Sequence, residues 1–245
     1  MKRWMFPAIA LLCLSAYGLS QTVDELVAKN IEAKGGLDKI KAVKTRRITG
    51  RAEQSDGPPL NVVIENERPD EIRQDITIAG MTMVQAYDGK AGWTIQPFSG
   101  RKDPQYMGED DLRDLTIDAD IDGPLVDYKA KGNIVEFMGH DTVDGDDALR
   151  LKVTLKNGDI EYFDLDPDTY LEIRRESQEF IRGSVKEQVT EYGSYKAVGG
   201  VMYPFSMAIW PKNDPTQMLT VTINNVEVNV PLAESLFAVP ASLKH

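Results

Sequence analysis

Leu151, Val153 and Leu155 alternate with Lys152, Thr154 and Lys156, and the run ends on Asn157-Gly158. Successive side chains of an extended strand point to opposite faces, so this pattern describes a strand buried on one side only. Asn-Gly is the pair that most readily takes the backbone conformations of a two-residue hairpin. The chain therefore folds back here into a second strand at 160–165. The same grammar recurs along the sequence. Residues 46–54, 60–67, 72–78, 81–87 and 93–95 read as short strands, with Asp88-Gly89 turning between the last two. Strands at 171–175, 185–192, 205–210 and 219–230 continue the series. A chain patterned this way must build an antiparallel sheet with one face on a core.

Helical text is confined to two places. Thr22 followed by Glu25 is a capping box, and Val23, Leu26, Val27 and Ile31 recur on one helical face behind it. Gly35-Gly36 stops that helix, and Leu37, Ile40 and Val43 predict one or two further turns. Residues 107–131 break the strand pattern, with Leu112, Leu115, Ile117, Ile121, Leu125 and Val126 on one side of a short helix and an irregular segment. Nothing between 21 and 245 is rich enough in Pro, Gly or Ser to be a linker. The expectation is one α+β domain: a strongly curved antiparallel sheet with helices packed on its concave side.

Composition removes several functions. The formal charge of −11 argues against gripping nucleic acid, where affinity comes from Lys and Arg. One cysteine and two histidines exclude a disulfide framework and thiolate zinc clusters, and leave little for His-based catalysis. The N-terminus reads as a cleavable export signal over residues 1–20. Lys2 and Arg3 precede an apolar stretch from Trp4 to Ala16, and Gly18 and Ser20 are the small pair before a cut after Ser20, with Gly18 as the alternative site. The stretch is shorter than the roughly 20 residues a spanning helix needs, which argues against a retained anchor. Cys13 follows Leu11 and Leu12 and belongs to the apolar region rather than to a lipidation site. Without Lys2 and Arg3 the charge of −11 becomes −13.

Candidate chemistry fails by inspection. Asp118-Ala119-Asp120-Ile121-Asp122-Gly123 opens like a calcium loop, but Lys129 stands where a bidentate Glu is needed and Pro124 follows the glycine. Asp164-Leu165-Asp166-Pro167-Asp168 leads to Arg175 at the same offset, so both read as solvated acidic turns. His140 has no partner of its own kind and reads as a surface turn residue. No phosphate loop or nucleophile elbow occurs. No metal, cofactor or catalytic set is expected.

A longer arrangement is informative. Arg68-Pro69 is followed by Ile72, then Asp88-Gly89-Lys90, then Trp93 and Pro97-Phe98. In order and spacing this resembles the periplasmic outer-membrane lipoprotein carriers, the LolA-like proteins. Gly123-Pro124-Leu125 after the helical insertion, and the closing Leu236-Phe237-Ala238-Val239-Pro240, are similar to the same plan. The resemblance implies an unclosed β-barrel of about ten to eleven strands with short helices as a lid over an apolar hollow. It further implies a carrier of lipoprotein or other acyl chains across the periplasm, served by an inner-membrane transporter and an outer-membrane acceptor, and working as a monomer. Arg68 would latch the lid to the barrel. Ile72 departs from the family, which places an aromatic ring there.

The physics of such a role is simple. A lipid tail in water costs about 0.8 kcal/mol per CH₂ relative to burial, so a carrier needs a dry apolar hollow that can still open. Candidate lining residues are Ile72, Met81, Met83, Trp93, Phe98, Leu151, Val153, Phe205, Met207 and Ile209. The plainer alternative is that they pack against Leu26, Ile31 and Ile40 as solid core. Two other functions fit the same fold: a lipid-sensing interaction module and a carboxylate enzyme. Convergent carboxylates in a deep polar pocket would favour the enzyme. Arg68→Leu is expected to change lipid retention with little change in Tm.

Overall fold

The computed structural model describes residues 21–54, 57–181 and 183–244. The export signal read in residues 1–20, including Cys13, lies outside them. Helices α1 (Val23–Ala33) and α2 (Leu37–Ala42) open the described chain. The capping box forms: the Thr22 hydroxyl accepts from the Glu25 N–H, and the Glu25 carboxylate accepts from the Thr22 N–H. Gly35 ends the helix for a steric reason. Its φ is +119°, and a Cβ there would strike the Gly200 carbonyl oxygen. That close approach lets the Met202 N–H donate to the Lys34 carbonyl at 2.9 Å.

Six strands follow: β1 (Thr45–Gln54), β2 (Leu60–Glu67), β3 (Glu71–Ile78), β4 (Met81–Asp88), β5 (Gly92–Gln96) and β6 (Arg101–Tyr106). Then α3 (Glu109–Ala119) and the short α4 (Tyr128–Lys131) interrupt the sheet. Strands β7 (Ile134–Val143), β8 (Asp146–Thr154), β9 (Ile160–Leu165), β10 (Glu172–Ile181) and β11 (Ser184–Gly193) resume it. A small separate hairpin, β12 (Lys196–Val198) and β13 (Val201–Tyr203), precedes β14 (Ser206–Pro211) and β15 (Leu219–Val228). Among the described residues one antiparallel sheet of 13 strands runs β6-β5-β4-β3-β2-β1-β15-β14-β11-β10-β9-β8-β7. The halves of the chain join where β1 pairs with β15, and the free edges are β6 and β7. The barrel is therefore curved but not closed. No described helix is long and apolar enough to cross a membrane.

Two strands of the main sheet escape the sequence pattern, as does the β12–β13 hairpin. β6 carries Pro104 after three charged residues and shows no apolar alternation, because an edge strand has little to bury. β7 turns Val135 and Phe137 inward, but a register shift between Phe137 and Gly139 breaks its period. His140 consequently lies on β7 and not in a turn; it is exposed, with Nδ1 2.9 Å from Asp147.

Register assigns the faces. Ile72, fully buried, packs against Leu115 and Ala119, so α3 lies on the concave side. Carried across the ladders, that side presents Ile64, Ile48, Val221, Met207 and Tyr192 in successive strands. At one end α1 drives Leu26 and Val27 onto Leu149, Leu151, Val153 and Phe163. Each such fully buried Leu contributes about 1.5–3 kcal/mol. Ile40, Val43 and Val126 cover Val221, Ile223 and Val226 in a second cluster. The convex side has its own small core, where Val84, Ala86 and Trp93 meet Val239 of the C-terminal segment.

Candidate functional site

α3 and the segment after it roof the concave hollow; Arg113 ties α3 to Asp159, and Arg68 ties the following segment to the sheet. Arg68, at the end of β2, donates to both carboxylate oxygens of Asp122, with 2.9 Å from Nη1 to Oδ2, and to the carbonyls of Val43 (2.6 Å) and Ile40 (3.1 Å). It thus ties the roof and the end of α2 to the sheet. Lys41 adds a bond to Asp122 at 2.5 Å and one to Asp127 at 2.8 Å. Burial alone would raise the Asp122 carboxyl, but hydrogen bonds from Arg68 and Lys41 overrule it and hold it down at about 2. The position that the family resemblance makes a latch is therefore bonded to the roof. Two of the three carboxylates in the acidic run at 118–122 are paired: Asp120 with Lys131 and Asp122 with Arg68. Among the described residues no group of His, Cys, Asp and Glu could hold a metal ion.

Beneath the roof is a hollow of about 300 Å³. Its apolar wall is Ile48, Ile64, Ile72, Ile117, Ile121, Pro124, Phe163 and Met207, and its polar wall is Lys34, Arg46, Gln74, Asp118, Asp120, Asp122, Glu172, Arg175 and Tyr192. Small-molecule sites span roughly 300–1,000 Å³, so this hollow lies at the lower end of that range. A polar extension beside it is lined by Asp114, Glu161, Glu179 and Lys186. Burial pushes the Tyr192 hydroxyl up to about 12 and raises the Glu161 carboxyl.

The predicted lining residues scatter. Ile72 and Met207 border the hollow. Phe205 and Ile209, half-buried, pack beside it against the Val221–Ile223 cluster. Met83 shares the concave face and is half-buried. Five positions are corrected. Leu151 and Val153 are solid core under α1, with no exposure. Trp93 lies on the convex face, its indole N–H donating to the Phe237 carbonyl at 2.9 Å, because its register partner Ala86 faces outward. Met81 and Phe98, 46% and 43% exposed, stand at a hairpin start and a loop and reach no hollow. The polar lining was missed. Arg46 is two residues before Ile48 on β1, so the period of two would have placed it on the inner face.

No protein-family model and no curated protein matches this sequence. Solved structures do. A LolA superfamily protein from Nitrosomonas europaea superposes with a TM-score of 0.60 at 11% identity, covering 90% of this chain and 99% of that one. A DUF1329 family protein from Desulfovibrio piger gives 0.60 at 13% identity over 89% and 98%. A domain described as that of an outer-membrane lipoprotein-sorting protein, from Vibrio parahaemolyticus, gives 0.57 at 11% identity over 87% and 94%. The chain has a LolA-like fold.

Proposed function

We propose that this protein is a non-enzymatic carrier of the cell envelope. It holds the acyl chains of a lipoprotein or another lipid in the hollow and moves them towards the outer membrane. The observation that carries this is the roofed hollow itself, with α3 and its following segment held on the sheet by Arg68 and Asp122. The roof is fastened by side chains, through Arg68 and Lys41 on Asp122, Arg113 on Asp159 and Leu115 on Ile72, and not by continuous sheet, so it can detach as a unit. The fold shared with a lipoprotein-sorting domain supports the same reading. An export signal, a donor transporter in the inner membrane, an acceptor in the outer membrane and a monomeric state complete the proposal.

The test is native mass spectrometry on protein purified from a membrane-containing host. Co-purifying acyl species, depleted in Arg68→Leu, are the expected result; protein that is consistently empty overturns it. A catalytic reading has one observation on its side, since Asp118 and Glu161 converge on Arg175 from α3 and β9. Turnover of an ester lipid that Glu161→Gln abolishes would favour that reading.

A further inference from the structure

A charge shut into a poorly polarisable interior must find an opposite charge or keep its water. Several charged groups around the hollow do so within the protein. Lys34 pairs with Glu172 at 3.1 Å, Asp120 with Lys131, and Asp122 with Arg68 and Lys41. Two groups do not. Arg46 spends Nε and Nη2 on the single Oδ1 of Asn66, at 3.3 and 2.9 Å, and makes no ion pair among the described residues. Asp118 accepts one bond, from Gln74 at 3.1 Å, and none from a cation among them. A third pairing is loose. Arg175 stands 3.5 Å from one oxygen of Glu161, whose other oxygen is buried without a partner.

These groups belong to one locus. Arg46, Asp118 and Arg175 border the hollow together with Ile48, Ile64 and Met207, and Glu161 borders its extension beside Asp118 and Arg175. Asn66, fully buried, links the first two: it accepts from Arg46 and donates to the Asp118 carbonyl at 3.1 Å. A bare hydrocarbon tail in this hollow would strip water from both signs of charge and return nothing. An occupant suited to it carries an anion for Arg46, whose planar guanidinium is built for phosphate, and a cation for Asp118 and Glu161. Its apolar part lies on Ile48, Ile64 and Met207.

We propose that the hollow takes a zwitterionic phospholipid, its phosphate on Arg46, its ammonium on Asp118 and Glu161, and its tails on the isoleucine and methionine wall. This rests on the carrier reading and names the cargo.

The experiment compares three lipids with the same oleoyl chains, offered to delipidated full-length protein from detergent micelles, with retained lipid counted by native mass spectrometry. Dioleoyl phosphatidylethanolamine should be retained at least tenfold over dioleoylglycerol, and dioleoyl phosphatidylglycerol between them. Arg46→Met should bring both phospholipids down to the diacylglycerol level. Asp118→Asn should erase only the advantage of phosphatidylethanolamine over phosphatidylglycerol. Equal retention of phosphatidylethanolamine and dioleoylglycerol overturns the headgroup proposal and leaves the carrier standing; retention of none of the three overturns both. Should Arg46→Met fail to fold, Asp118→Asn decides alone, and an unchanged ratio between the two phospholipids defeats the proposal.

Discussion

Arg68 concentrates four hydrogen bonds on one guanidinium: two to Asp122 and one each to the Val43 and Ile40 carbonyls. Removing it leaves the buried Asp122 with Lys41 alone, so Arg68→Leu should cost about 2–4 kcal/mol in urea denaturation. This revises the expectation of a nearly unchanged Tm, because the latch also bonds the end of α2 and holds a buried carboxylate. Asp122 offers a pH test. Its carboxyl sits at about 2 in the fold against an ordinary 3.8, so its stabilisation is complete well above the ordinary value and is lost as pH falls through the folded one. The stability gap between wild type and Asp122→Asn should be flat at neutral pH and close between about pH 4 and pH 2. A gap that widens on acidification would contradict this.

At the scale of elements, the roof helix approaches β5 closely at Gly92. A Cβ on Gly92 of β5 would stand 2.5 Å from Leu112 Cδ1 and 3.2 Å from Met107 Sδ. Gly92→Ala should therefore push the start of α3 away, costing about 1–3 kcal/mol and speeding amide exchange in α3 ahead of the strands. Helix α1 makes the opposite case, being fastened by core. Leu26, with no exposure, packs on the β8–β9 strands, and Leu26→Ala should cost about 2–5 kcal/mol by chemical denaturation. These two helices also differ in legibility. α1 is written locally, in a capping box and an apolar stripe. What α3 covers depends on Gly92 and Ile72, some twenty to forty residues away in sequence, and no local pattern records that.

For the whole molecule the open sheet poses a problem of its own, because its edges could pair with another copy. β6 at one edge carries Arg101, Lys102, Asp103 and Pro104, and a proline or a charge there blocks edge-to-edge pairing. Replacing Lys102 and Pro104 together by valine should increase self-association in sedimentation velocity. Unchanged sedimentation would show that edge protection lies elsewhere. This edge explains why β6 was unreadable: the residues that keep it from pairing are the ones that hide it as a strand.

What the chain determines alone is its local text: alternating strands, hairpin turns at Asn157-Gly158 and Asp88-Gly89, the cap of α1, and the order of motifs from Arg68 to Phe98. All of these act over a few residues, so a linear reading captures them. The tertiary structure decided which side of each strand faces inward. It sent Trp93 outward under Phe237, sank Leu151 and Val153 into solid core, and turned Arg46, Asp118 and Arg175 towards the hollow. The reason is the two-residue period of a strand: a shift of one residue in pairing exchanges its faces, and pairing is set by distant partners.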